Sequence, residues 1–265
     1  MPERPNVTDH CLLTHVDERG VATLTLNRPD VRNALDEELM RELTEHVVTY
    51  SRSQDVRLIV ITGSEDAFSA GTDISWMEEM ATDQPSVDAR RLGNLLWQVR
   101  CCPKPTIARV NGAAIGAGLA LAVACDISVS DDEAQFSLPA VRLGTLPAVL
   151  APFMLDAVSP FVLRRYVLTG ETFSADEARR VGFIHATCLG AQLDATVARF
   201  IDDLLMGGPL AQKEMKMLLN AYAHEPFNTG LIEGAAKISA RIRKTNEARE
   251  GLAAYIEKRD PDWKR

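Results

Sequence analysis

The stretch Thr106–Ser130, TIARVNGAAIGAGLALAVACDISVS, decides the fold class. Thr106 to Gly112 reads as a strand, the small residues after Asn111 turn the chain into a helix, and Asp126 to Ser130 reads as the next strand. Working outward, the same arrangement recurs upstream without sequence identity. Gly20 to Asn27 (GVATLTLN) alternates Val21, Thr23 and Thr25 with Ala22, Leu24 and Leu26, the period of a strand with one buried face. Arg28-Pro29-Asp30 ends it. From Asn33, NALDEELMRELTEHVVTYS sets Leu35, Leu39, Leu43, Val47 and Tyr50 on one helical face, with Asn33 read as the N-cap and acids from Asp36 to Glu38 in the first turn. Arg57 to Thr62 (RLIVIT) is a continuous apolar run, the pattern of a strand covered on both faces. Strand, helix and strand in this order imply a right-handed parallel unit and an α/β class.

After Phe136 the reading becomes helical. Ser174 with Glu177 three residues on is a capping-box signature, and a long helical part runs from Ala191. No Pro- or Ser-rich linker divides the chain. One α/β core over residues 1–195, with a helical extension over 196–265 packed on it or on a neighbouring subunit, is the expected organisation.

Composition excludes several classes of function. Of 265 residues, 46% are hydrophobic and 25% charged, which rules out a disordered or low-complexity chain. A net charge of -8 offers no electrostatic footprint for nucleic acid. The longest uncharged apolar stretch, Gly112 to Cys125, is shorter than the roughly 18 to 20 residues of a membrane helix. The polar start MPERPNVTDH lacks the apolar run of a secretory signal, so a cytoplasmic location is expected. Five cysteines without a C-x-x-C, and histidines without an H-x-x-x-H or H-E-x-x-H spacing, support neither a disulfide framework nor a metal site.

Two loops bring small residues and free backbone N–H groups to strand ends: Phe68 to Ile74 (FSAGTDI) and Asn111 to Gly118 (NGAAIGAG). Neither has the G-x-G-x-x-G or G-K-[ST] spacing of a nucleotide loop. Together they resemble the paired oxyanion-hole motifs of the crotonase (enoyl-CoA hydratase/isomerase) superfamily. The resemblance covers nearly the whole chain: Asn27-Arg28-Pro29 through Asn33-Ala34-Leu35, AFSAGTDI, the stretch from Lys104 to Ser130, AQFSLPAVRLGTLP, ETFSADEARRVGFI and EGLAAYIEKRDPDWK. DISWMEEM and LGTLPAVLAPFML look closest to its methylglutaconyl-CoA or carboxygeranoyl-CoA hydratase branch.

The resemblance implies a crotonase-like spiral of ββα units with a helical carboxy-terminal extension, assembled as trimers or a dimer of trimers. It implies an acyl-CoA substrate, with coenzyme A entering as part of that substrate and no permanently bound cofactor. Carried over by position, the amide hydrogens of Thr72 and Ala117 would bind the thioester oxygen and stabilise an enolate. Family members often carry glycine where Ala117 stands. Arg32 and Ala34 would flank the pantetheine and phosphates, while main chain at Ala70, Asp73 and Ile74 would edge the adenine. Tyr255 and Lys258 would reach over the nucleotide from a neighbouring subunit. Asp73 reads as an acceptor that fixes the loop rather than as a base.

Hydratases of this family hold the attacking water between two glutamates, and the corresponding positions here are Ala120 and Ala140. A methyl group cannot orient water or exchange a proton, and such acid–base help is worth about 10² to 10⁴ in rate. Replacement acids would be Glu78 or Glu79, in the loop after the first oxyanion motif. Ser137 and Thr145 lie near the lost second glutamate but have no evident His partner. Three outcomes stay open: hydration or isomerisation with a substitute base, decarboxylation of a malonyl-type thioester, which needs only the hole, and acyl-CoA binding without chemistry.

Overall fold

The structure is a computed structural model that describes residues 10–80, 85–223 and 225–264. The amino-terminal stretch read above for a signal, and His224, fall mostly or wholly outside these residues. Two sheets are built from strand pairs that divide between them. The larger has the order β1-β2-β3-β5-β7-β10, from β1 (Leu12–Val16), β2 (Val21–Leu26), β3 (Leu58–Gly63), β5 (Thr106–Val110), β7 (Ile127–Asp131) and β10 (Ala186–Cys188). The smaller has the order β4-β6-β8-β9, from β4 (Ala67–Ser69), β6 (Ala113–Ile115), β8 (Gln135–Ser137) and β9 (Thr172–Ser174). Each of the pairs β3-β4, β5-β6 and β7-β8 therefore gives its first strand to one sheet and its second to the other. A helix follows the first two pairs: α2 (Ile74–Met80) with α3 (Pro85–Arg100), then α4 (Ala117–Ala124). From β2 onward the large sheet is parallel, and only β1 pairs antiparallel.

The continuous run in β3 is buried on both faces, as its composition predicts. Ile59 and Ile61 join the main core with Leu39, Leu43 and Val47 of α1 (Glu37–Arg52), whereas Leu58 and Val60 pack with Leu193, Val197 and Ile201 of α8 (Leu193–Met206). The expected division after residue 195 thus cuts through a helix that closes one face of the sheet. The core runs to Met206. Beyond it stand α9 (Pro209–Tyr222), α10 (Thr229–Arg243) and α11 (Asn246–Glu257). Arg57 ties this part back, donating from Nη1 to Trp263 O (2.6 Å) and from Nη2 to Gly207 O (3.0 Å).

Two sequence expectations change. The first helix starts at Glu37 because Asp36, not Asn33, caps it, accepting from Leu39 N at 2.9 Å. Asn33 is fully buried with φ 57°, a left-handed conformation that asparagine tolerates better than most residues. The part after Phe136 is not purely helical either: after α5 (Ala151–Ala157), β9 separates α6 (Pro160–Thr169) from α7 (Ala175–Val181), and β10 separates α7 from α8. Among the described residues, no helix is long and apolar enough to cross a membrane.

Ser174 does cap α7, accepting from Glu177 N, but the glutamate side chain does not close the box. It accepts from Arg180 and from the hydroxyl of Tyr166 (2.6 Å), whose buried ring lies 4.2 Å from that of Phe173. Burial and this bond push the Tyr166 hydroxyl up to about 12, while Arg180, Tyr166 and Arg165 hold Glu177 down at about 2, from an ordinary value near 4.5. A depressed carboxyl pKa stabilises the fold above the ordinary value, and that contribution fades as pH falls toward 2. Wild-type protein should therefore resist urea better than Glu177→Gln at pH 6, and the difference should narrow steadily between pH 4.5 and 3. A gap independent of pH would refute the charge-based account.

Candidate active site

The two glycine-bearing loops meet where the two sheets adjoin. The first is stitched to the segment before α1 by alternating backbone bonds: Ala70 N–H donates to Arg32 O (2.9 Å), Leu35 N–H to Gly71 O (2.7 Å), and Asp73 N–H to Leu35 O (3.0 Å). Ser69 Oγ adds a bond to Asn33 O (2.8 Å). Leu35 thus forms a parallel bridge opposite Thr72. In such a bridge the flanking peptides bond to the partner and the central residue's own N–H points the other way. The Thr72 amide is accordingly turned away from Leu35. Its hydroxyl makes no hydrogen bond among the described residues.

The second loop reaches the same place. Gly116 N–H donates to Ser137 O (2.9 Å), and Gly116 takes φ 53° and ψ -112° before α4 begins. Ala117, 3% exposed, is the first helical residue, so its N–H has no intrahelical acceptor. The positive φ falls on Gly116, and alanine at 117 carries no backbone strain. Close approach of the loops depends on missing side chains. A Cβ on Gly71 would lie 2.6 Å from Ile115 O and 3.4 Å from Ala117 N, and one on Gly118 would lie 2.5 Å from Ser69 O.

The other expected site residues distribute unevenly. Arg32 and Lys258 are exposed, both have positive φ, and neither side chain has a hydrogen-bond or ion-pair partner among the described residues. Each is free to meet an anion. Ala34 is buried, and its carbonyl already accepts from Arg28 (2.6 Å). The amide groups of Ala70 and Asp73 are likewise engaged, so they have no free N–H to offer an adenine; Ile74 is 62% exposed. Asp73 fixes the loop: Oδ1 accepts from Ser75 N (3.1 Å) and Oδ2 from Arg28 (3.0 Å). Tyr255 is 86% exposed on α11, remote in sequence from both loops and open to another molecule.

Ala120 lies one turn into α4 and is completely buried among apolar side chains. Ala140 is half-buried in a 3-10 turn, Pro139–Leu143, whose carbonyl at 140 accepts from both Thr145 N (3.0 Å) and Thr145 Oγ1 (3.2 Å). Ser137 is 4% exposed, and its carbonyl anchors the second loop. Glu78 does not sit in a loop. It is an exposed residue of α2, a helix that starts early because Asp73 accepts from its first turn. The Glu79 side chain lies outside the described part of the structure.

Sequence reasoning missed Arg28 and Asn33. Asn33 Nδ2 donates to Ser64 O (3.0 Å) and Ala67 O (2.8 Å), and its Oδ1 accepts from Arg28 N (2.9 Å) and Ser64 Oγ (3.1 Å). Asparagine's tolerance of a positive φ was the available signal, but it is shared by any capping or turn asparagine.

Comparison with known proteins shows which family the chain is similar to. A sequence model of the enoyl-CoA hydratase/isomerase family matches residues 17–265. A 2,3-dehydroadipyl-CoA hydratase of Escherichia coli is 30% identical over 249 residues, 93% of this chain and 96% of that protein. A crotonyl-CoA hydratase of Syntrophomonas wolfei is 32% identical over 256 residues, 93% and 95% of the two chains. Among solved structures, an enoyl-CoA hydratase from Shewanella pealeana superposes with a TM-score of 0.92 at 35% identity, covering 96% of each chain. Pseudomonas aeruginosa AtuE gives 0.92 at 32%, covering 97% of this chain and all of the other.

Gly71→Ala tests the contact between the loops. At φ 91° an alanine is strained by about 1 to 3 kcal/mol, before the clash with Ile115 O is counted. Urea unfolding should show at least that loss with an unchanged slope, and a loss under 0.5 kcal/mol, roughly what a neutral surface substitution gives, would mean that the loops do not abut.

Proposed function

The chain belongs to the enoyl-CoA hydratase/isomerase family, and we propose that it binds an acyl-CoA thioester with the carbonyl oxygen between the amide hydrogens of Thr72 and Ala117. The observation that carries this reading is the pair of N–H groups without local acceptors on two loops in direct contact. Two such donors stabilise negative charge that develops on the oxygen as a bond at the α-carbon is made or broken. Arg32 and Lys258, with no partners of their own among the described residues, suit the phosphates of coenzyme A. Tyr255 and Lys258 would then act on a neighbouring copy's nucleotide. Met215, Leu219, Leu252 and Ile256, all more than half exposed on α9 and α11, favour assembly into a trimer or hexamer.

The chemistry proposed is enolate stabilisation without the usual pair of carboxylates. Methyl groups at Ala120 and Ala140 leave no acid to orient water, and Asp73 is committed to Arg28 and Ser75. Glu78 remains the substitute acid for hydration or isomerisation. A second reading draws support from the same two alanines. In a malonyl-type thioester the bond between the α-carbon and the carboxylate breaks, and its electron pair moves into the thioester to form an enolate held by the two amides. Carbon dioxide leaves, and the α-carbon then takes a proton from water. No side-chain base is needed, so alanine at 120 and at 140 leaves this reaction open.

Enoyl-, 3-enoyl- and malonyl-type CoA esters should all bind when titrated directly. Crotonyl-CoA hydration should run about 10² to 10⁴ below that of a two-glutamate enzyme. Ala140→Glu, at the half-buried position, is expected to raise hydration, whereas Ala120→Glu should destabilise the fold by burying a carboxylate among apolar groups. Hydration by the unmodified chain at ordinary family rates would sink the carboxylate argument. Binding without turnover of any ester would favour an acyl-CoA-binding protein with no chemistry.

A further inference from the structure

We infer that Arg28 is the positioning residue that aims the Thr72 amide, an inference that rests on the thioester reading above. The Arg28 side chain is 22% exposed and spends its guanidinium on three acceptors. Nη1 lies 3.0 Å from Asp73 Oδ2 and 2.6 Å from Ala34 O, and Nη2 lies 3.0 Å from Asp36 Oδ2. Its backbone N–H is pinned to the buried Asn33 side chain. One planar fork therefore binds the carboxylate that caps α1, the carboxylate that caps α2, and the carbonyl between the cation-bearing segment at Arg32 and the bridge at Leu35. Thr72 is the residue immediately before Asp73.

Two carboxylates converge on this single cation. Without it they repel each other, and Asp73 is the one that stands on the loop carrying the amide. The backbone bridge to Leu35 sets which way the Thr72 N–H faces, and the Asp73 anchor sets where it stands along that direction. Hydrogen-bond strength falls steeply with misalignment, so a small displacement costs polarisation of the bound carbonyl without abolishing binding. Arginine is required by geometry. Lysine presents a point charge that cannot meet both carboxylates in parallel. Arg28 touches none of the reacting atoms and acts through Asp73 and the Ala34 carbonyl, which adjoin the two sides of the bridge.

An aryl-conjugated acryloyl-CoA ester reports the effect, because its absorption moves to the red when the thioester oxygen is strongly hydrogen-bonded. Wild-type protein should bind it with a clear red shift. Arg28→Lys should bind free coenzyme A within about threefold of wild type yet lose most of the shift at equal occupancy. On any ester that is turned over, kcat should fall roughly tenfold or more with KM little changed. Adding Asp36→Asn to Arg28→Lys removes the competing charge, keeps a capping side chain, and should recover part of the shift. Asp73→Asn gives a second route to the same loss if Arg28→Lys folds poorly. A full red shift in both Arg28→Lys and Asp73→Asn overturns the inference. Wild-type binding with no shift overturns the thioester reading itself, and this inference with it.

Discussion

Leu35 is held from both sides by the loop that carries Thr72, donating to Gly71 and accepting from Asp73. Everything proposed for the site depends on this short parallel pairing, because it decides which face of the loop keeps an unpaired amide. Had the register slipped by one residue, the Thr72 N–H would bond inward and Gly71 or Asp73 would face α4 instead. The register is over-determined. Ser69 Oγ, the Ala70 N–H and the Arg28 guanidinium each add a bond between the same two segments, and Asn33, whose carbonyl accepts from Ser69, is completely buried.

Packing then brings the second donor to the first. Gly71 and Gly118 remove side chains at the two points where backbone meets backbone, and β6 lies between β4 and β8 so that the start of α4 is fixed to both neighbours. Electrostatics has a narrower role. Asp36 and Asp73 cap helices and share one guanidinium, whereas Arg32 and Lys258 are exposed cations with no carboxylate of their own among the described residues.

Much of the large sheet was legible because β2, β3, β5 and β7 are five or six residues long and their hydrophobic pattern is either alternating or continuous. The small sheet was not. Strands of three residues such as β4, β6, β8 and β9 span barely one and a half periods, too few for any pattern to register. The candidate donors were found through resemblance to a family, since an amide hydrogen leaves no trace in residue identity. Arg28 was hidden for a different reason: a surface-type residue becomes half-buried only when acids 8 and 45 positions away fold against it. Asn33 read as a cap because three of the four bonds of its side chain go to Ser64 and Ala67, more than thirty positions away.

The placement of alanine at 117, 120 and 140 has a wider meaning for how such a chain changes its chemistry. On the thioester reading, what activates the ligand would be written in peptide bonds, which point mutation cannot delete, while what processes the activated species would be written in side chains that a single codon can erase. A lineage built this way can abandon one reaction and adopt another without ever dismantling its receptor.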